Sequence, residues 1–227
     1  MESKYPTYGT SLHYSGEAGK KYLDWQDALG LISGEINSRK FKKVDFRGLT
    51  VLDFGAGAGN LLANLPALRK IAVEINLAAH AAIVKKGIEA FEKIESIESS
   101  SIDLVISHHS LEHVPYPIMA LKEIARVLKP GGTLHLWVPI DDWRVQKSYR
   151  SNDINHHLNT WTPQLLGNSL HEAGFDTKSM NMNIVTHAWF PGYQYFFKVP
   201  GFDLACKIWS IFRRRRQIGV IAKLDGQ

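Results

Sequence analysis

"VLDFGAGAGN", residues 51–60, sets an apolar run broken by one acid, Asp53, against three glycines at alternate positions. The flanking segment "LTVLDF", residues 49–54, is almost wholly apolar, which is the pattern of a short strand buried on both faces of a parallel sheet. Gly55 permits a tight turn off that strand, Gly57 lets backbone approach a ligand with no Cβ in the way, and Gly59 lets the following helix pack closely. A helix beginning near Asn60 would present an N-terminus that attracts negative charge. So much backbone freedom directly after a buried strand implies a ligand lying against bare main chain.

Glu74 sharpens that expectation. It closes a second strand, "KIAVEIN" (residues 70–76), nineteen positions after Gly55, where a carboxylate can accept both hydroxyls of an adenosine ribose. Two adenosine cofactors satisfy this pair, a dinucleotide and S-adenosylmethionine. Dinucleotide loops space their last two glycines three apart to face a pyrophosphate. Here the spacing is two throughout, and Asp53 precedes the loop, where it would repel a pyrophosphate. Charge therefore favours S-adenosylmethionine.

Outward from this centre the pattern alternates. Lys20 to Ile36 has helical spacing weakened near its end by Gly34. "LAAHAAIVKKG" is an alanine-rich helix stopped at Gly87, "IEAF" a third strand and "IDLVIS" a fourth. Pro117 to Leu128 reads as a helix closed by Pro130 and Gly131. "TLHLWVP" is a fifth strand, "TPQLLGNSLHEAGF" a helix capped by Thr162 with Pro163 in its first position, and "QIGVIAKL" the last strand. Strands separated by helices predict a doubly wound, mostly parallel α/β sheet with helices on both faces, and place ligands beyond the carboxyl ends of the strands.

Composition agrees with a globular chain. Of 227 residues 44% are hydrophobic and 22% charged. The net charge of +5 is concentrated in one run, Arg213–Arg216, so a nucleic-acid partner, which needs basic residues spread over a face, is not expected. One cysteine, Cys206, excludes an internal disulfide and reads as a small apolar packing residue. No stretch is long and apolar enough for a membrane span, and the first fifteen residues carry no apolar signal core, so a cytoplasmic location is expected.

The chain resembles the class I, seven-stranded S-adenosylmethionine-dependent methyltransferases from about Leu49 to Phe175, through "VLDFGAGAG", "VEI", "IDLVISHHSLEHVPYP", "LKEIARVLKPGGTLHLWVP" and "HHLNTWTPQLLGNSLHEAGF". "LEHV" followed by "LKPGG" is similar to the small-molecule branch, and "HHLNTWTP" to bacterial members linked to cell-surface glycans. The resemblance implies seven strands, a methionine site at Asp53, Gly55, Ala56, Gly57 and Gly59, a ribose site at Glu74, adenine against Ile75, and His108 beside the cofactor. It supplies no clear adenine partner after the third strand, where Phe91, Glu92 and Ile97 are the open choices. "SHHS" after the fourth strand lacks the Asp or Asn and paired prolines with which base and amide methyltransferases grip nitrogen, which points to an oxygen acceptor, a small molecule such as a saccharide, even a lipid-linked one. A non-catalytic cofactor-binding protein and an RNA methyltransferase are the rival functions.

A hydroxyl acceptor calls for a proton acceptor, and histidine suits neutral pH. His109 and His157 are the candidates, with His108 beside them. His109, Glu112 and His113 form half of a helix-borne metal pattern, but no third ligand follows along the chain and no metal is expected. Residues 1–45 are expected to form a lid, with Tyr14, Tyr22 and Trp25 over the site, on a methyltransferase domain spanning 46–227. An insertion at about 187–216 carries, over 201–214, a narrow polar stripe of Asp203, Lys207, Ser210 and Arg214 with apolar residues elsewhere. Core packing, a homodimer contact and a membrane interface are its alternative uses.

Overall fold

The computed structural model describes residues 12–14, 16–142, 144, 146–186 and 189–224, with backbone only at 12, 26–29 and 186. His187 and residues 1–11, which bear on the insertion boundary and on the expectation about a signal core, lie outside the described residues. So do the side chains of Ala28 and Leu29, two of the apolar positions read into the first helix.

The sheet has seven strands: β1 (Thr50–Phe54), β2 (Arg69–Val73), β3 (Glu89–Phe91), β4 (Ile102–His108), β5 (Leu128–Ile140), β6 (Asn181–Thr186) and β7 (Arg216–Lys223). Their spatial order is β3-β2-β1-β4-β5-β7-β6. β1 to β5 run parallel, whereas β7 is antiparallel to both β5 and β6. The winding reverses between β1 and β4, so their carboxyl ends diverge to leave a crevice.

Helices α1 (Gly16–Ser38), α2 (Asn60–Ala63) and α3 (Leu77–Lys85) cover one face, where Phe41, Phe46, Val51, Leu62, Ile83, Leu104 and Trp137 are buried. Helices α4 (Pro117–Val127) and α5 (Pro163–Glu172) cover the other, over Leu52, Val105, Ile124, Leu136, Leu166 and Ile218. Thr162 caps α5 by accepting from the Leu165 N–H at 3.2 Å, as its hydroxyl type and position predict.

Three local expectations change in the folded chain. Gly34 does not weaken α1, which runs on to Ser38; a Cβ there would sit 2.4 Å from the Asn60 carbonyl oxygen, so this glycine exists to let α1 and α2 touch. Pro130 and Gly131 do follow the end of α4, but they lie inside β5, whose register against β4 jumps from Ile102–Leu128 to Leu104–Thr133. The bulge absorbs the proline and the left-handed Gly131 without interrupting the sheet. Finally, β6 carries no strong strand signature: it is an edge strand, "NMNIVT", with Ile184 and Val185 exposed.

The insertion folds as α6 (Tyr193–Phe196) and α7 (Phe202–Phe212) and docks on α1 through Ile36, Tyr193 and Phe202. Arg39 clamps it, donating to the Phe197 carbonyl at 2.6 Å and pairing with Asp203 at 3.6 Å. Half-buried Cys206 packs against that contact.

Candidate functional site

A solvent-open cleft, lined by the carboxyl ends of β1, β2 and β4, occupies the crevice, where ligands of doubly wound sheets bind. β1 delivers Phe54 and Gly55 to it, and Gly57 follows from the loop. β2 delivers Glu74, Ile75 and Asn76, and β4 delivers His108, His109 and Ser110. Glu92 to Glu95 line it after β3, so that stretch is the wall the sequence left open; Ile97 is instead buried in the core and Phe91 packs against it.

Gly55 has φ +77° and Gly57 φ +54°, values that L side chains rarely take. Gly59, at φ +73°, lies under Ile83 and Ile88, and there it permits helix packing rather than ligand approach. Ala56, Asp53 and Gly59 stand behind the cleft wall rather than lining it. Asp53 is 2% exposed, and burial followed by the neighbouring Glu74 charge pushes its pKa up to about 8.

Glu74 is buried at the cleft wall. Its Oε2 accepts the Gly57 N–H at 2.7 Å and its Oε1 accepts the Asn76 N–H at 2.8 Å. Burial raises its pKa while these two amides and His80 oppose the rise. Each oxygen keeps a second lone pair, so the carboxylate is both immobilised by backbone and able to accept a diol. Asn76, which the sequence reading did not single out, donates to the Gly19 carbonyl at 2.7 Å and ties α1 to this corner. Gly19 in turn has no room for a Cβ, which would meet the Tyr14 carbonyl at 2.3 Å.

On the opposite wall Ser110 Oγ donates to the Phe54 carbonyl at 2.8 Å and meets Ser107 Oγ at 2.7 Å, which pins the turn after β4 to the end of β1. His108 and His109 stack at 4.5 Å with 13° between their planes. The Lys40 ammonium hydrogen-bonds His108 Nε2 and Asn37 Oδ1. Although the Lys40 side chain as a whole is exposed, loss of solvent around its tip lowers its pKa to about 7. His109 has φ +55°, its Nε2 meets Gln217 Oε1 at 2.7 Å, and burial, then Lys40, pushes its pKa down to about 3.

His109 and His113 do not pair on a helix, because residues 111–113 form a short 3₁₀ turn after a left-handed residue. His157 does not line the cleft but stands against His113, ring centroids 4.9 Å apart, with Nδ1 at 2.8 Å from Asp141 Oδ2. Burial lowers its pKa, but the Asp141 hydrogen bond and charge outweigh that, and the net shift is upward. Of the N-terminal aromatics singled out in the sequence, Tyr14 and Tyr22 line the cleft, packed edge to face at 4.8 Å. Trp25 does not line it and is 45% exposed.

A family profile described as "Methyltransferase domain" matches residues 23–179. A ubiquinone biosynthesis O-methyltransferase of Xanthomonas oryzae pv. oryzae is 32% identical over 106 residues, 41% of this chain and 44% of that protein. The chain thus spans less than half the length of the curated relatives it matches. In fold it is similar to an S-adenosylmethionine-dependent methyltransferase of Archaeoglobus fulgidus, with TM-score 0.62, 15% identity and 89% and 99% of the two chains covered. It is similar also to a phosphoethanolamine N-methyltransferase 2 of Haemonchus contortus in complex with S-adenosyl-L-methionine, with TM-score 0.63, 17% identity and 98% and 62% covered. The glycine turn off β1, the carboxylate closing β2 and the matched profile agree: the chain belongs to the class I, Rossmann-like S-adenosylmethionine-dependent methyltransferases.

Proposed function

We propose that this protein methylates a hydroxyl oxygen of a small acceptor. The observation that carries the reading is Glu74, a buried carboxylate oriented by two backbone amides at the wall where Gly57 exposes bare main chain. Glu74 would hold the ribose, Ile75 the adenine, and the Gly55–Gly57 backbone with Asp53 behind it the methionine portion. S-adenosylmethionine supplies an electrophilic methyl group. The acceptor oxygen gains that carbon and loses its proton, so the chain must align the oxygen and take up the proton.

His109 suits alignment. It lines the cleft, donates Nε2–H to Gln217, and its depressed pKa keeps it neutral while making it a weak base. His157, raised by Asp141, is the stronger base and stands one ring behind His113, which lines the cleft. The name of the Xanthomonas relatives supports an oxygen acceptor; a saccharide draws no support from the comparisons.

A peripheral membrane contact has a specific observation in its favour. In α7 the polar-stripe member Ser210 is fully buried, its Oγ donating to the Arg215 carbonyl, while Leu204, Ile208, Ile211 and Phe212 are exposed beside exposed Arg213–Arg215. Apolar side chains flanked by arginines suit the surface of an anionic bilayer. No described helix is long and apolar enough to cross one.

Calorimetry with S-adenosylmethionine tests the cofactor site: Glu74→Ala should weaken binding at least tenfold, about 1.4 kcal/mol. Equal affinity in the variant overturns the assignment of Glu74. Formation of S-adenosylhomocysteine with hydroxylated but not amino acceptors tests the chemistry, and the reverse preference overturns the oxygen reading.

A further inference from the structure

Glu112 is fully buried, and among the described residues neither of its carboxylate oxygens has a hydrogen-bond partner in another residue. What surrounds it is histidine. His113 Nε2 lies 3.7 Å and His109 Nδ1 3.9 Å from Glu112 Oε1, and ligating atoms of Glu112, His113 and His157 all fall within 4.8 Å of one another.

The outer hydrogen bonds decide which ring nitrogens carry protons. Tyr14 donates its one hydroxyl hydrogen to the Asn155 carbonyl at 2.6 Å, so its oxygen must accept from His113 Nδ1 at 2.7 Å; the His113 ring also bonds the His156 backbone, and its Nε2 stands 3.7 Å from Glu112 Oε1. His157 donates Nδ1–H to Asp141 at 2.8 Å, which leaves Nε2 as its other, unprotonated nitrogen. A buried carboxyl group, its pKa pushed up to about 8 by burial and without a hydrogen-bond partner in another described residue, thus faces imidazoles, an arrangement that a bound cation would satisfy. The Asp141–His157 contact has the form of the carboxylate–histidine support that orients metal-bound imidazoles.

We infer that Glu112, His113 and His157 form a binding site for a divalent transition cation of the zinc, cobalt(II) or iron(II) class. Two imidazoles and one carboxylate are the donor set such ions take, with positions left for water or substrate. With metal–ligand bonds of about 2.1 Å, tetrahedral ligands lie roughly 3.4 Å apart. The Glu112–His113 separation of 3.7 Å nearly fits, and since all three ligating atoms lie within 4.8 Å of one another, no pair must close by more than about 1.4 Å, within reach of small side-chain rotations. His113 lines the cleft, so an open coordination position would face the acceptor region. There the ion would bind the acceptor hydroxyl and make it more acidic, its proton passing to solvent in the open cleft rather than to His157, whose Nε2 would be held by the ion; this role rests on the oxygen-acceptor reading above.

The test uses the tag-free full chain, stripped with chelator and titrated with cobalt(II) under visible absorption and with zinc by calorimetry. One equivalent should bind with a d–d band. Glu112→Gln and His157→Ala should each weaken binding at least a hundredfold, and Asp141→Asn about tenfold, with S-adenosylmethionine affinity retained to show an intact fold. If Glu112→Gln also loses S-adenosylmethionine, His157→Ala, whose side chain lies outside the cleft wall, decides. No binding by the wild type, or unchanged binding in His157→Ala, overturns the site. Metal binding without methylation of hydroxyl acceptors would instead sink the oxygen reading and leave the site standing.

Discussion

Replacing Gly55 by alanine probes the joint between the cofactor loop and the β4 turn. A Cβ at Gly55 would lie 2.3 Å from Ser110 Cβ and 2.7 Å from Ser110 Oγ, distances that no side-chain rotation relieves at the Cβ. At φ +77° an L residue costs about 1–2 kcal/mol. Forcing Ser110 aside adds about 1–3 kcal/mol of overpacking, and breaking its hydrogen bond to the Phe54 carbonyl about 1 kcal/mol. The expected loss is about 3–6 kcal/mol, read by urea unfolding, together with weakened S-adenosylmethionine binding. Ser110→Gly removes the clashing Cβ, so the double variant should recover the overpacking part and lose the Phe54 hydrogen bond only once: its destabilisation should fall short of the sum of the singles by about 2–4 kcal/mol. Additive losses, or a Gly55→Ala protein as stable as wild type, would refute the packing reasoning.

Acid should unfold the protein partly through His135. It is buried against Phe41, ring centroids 5.9 Å apart, and burial lowers its pKa to about 4. A base whose folded pKa lies below its unfolded value of 6.5 leaves the unfolded state binding more protons between those limits, so stability falls as pH drops from 6.5 towards 4. The slope is about 1.4 kcal/mol per unit. Urea unfolding of His135→Phe at pH 7 and pH 5 should show a smaller acid loss than wild type; an equal loss removes His135 as a cause. For α7, sedimentation with anionic vesicles should be strong for wild type and largely lost in Ile208→Glu and in Arg213–Arg215→Ser, and equal sedimentation of all three would exclude the bilayer.

The strand, glycine turn and helix around β1 were legible because they are local. An apolar run buried on both faces, a φ that only glycine tolerates and a carboxylate at a strand end each leave a mark within ten residues. The same holds for α5, announced by Thr162 and Pro163. β6 was not legible, since an edge strand needs few apolar residues and draws its place from pairing with β7. Nor was the outward face of α7: composition shows an apolar helix with a polar stripe, but whether that stripe points in or out depends on what Ile36 and Tyr193 offer as a partner surface.

Sequence by itself determined the glycine turn and the strand-end carboxylate proposed to hold the cofactor, because Gly55, Gly57 and Glu74 depend on backbone geometry and strand ends that pattern encodes. Only the tertiary structure decided the other half. Tyr14, Glu112, Asp141 and His157 come from four separate segments, and which histidine nitrogen carries a proton follows from partners up to a hundred residues away. Side-chain chemistry of that kind depends on distance in space, which chain spacing does not record.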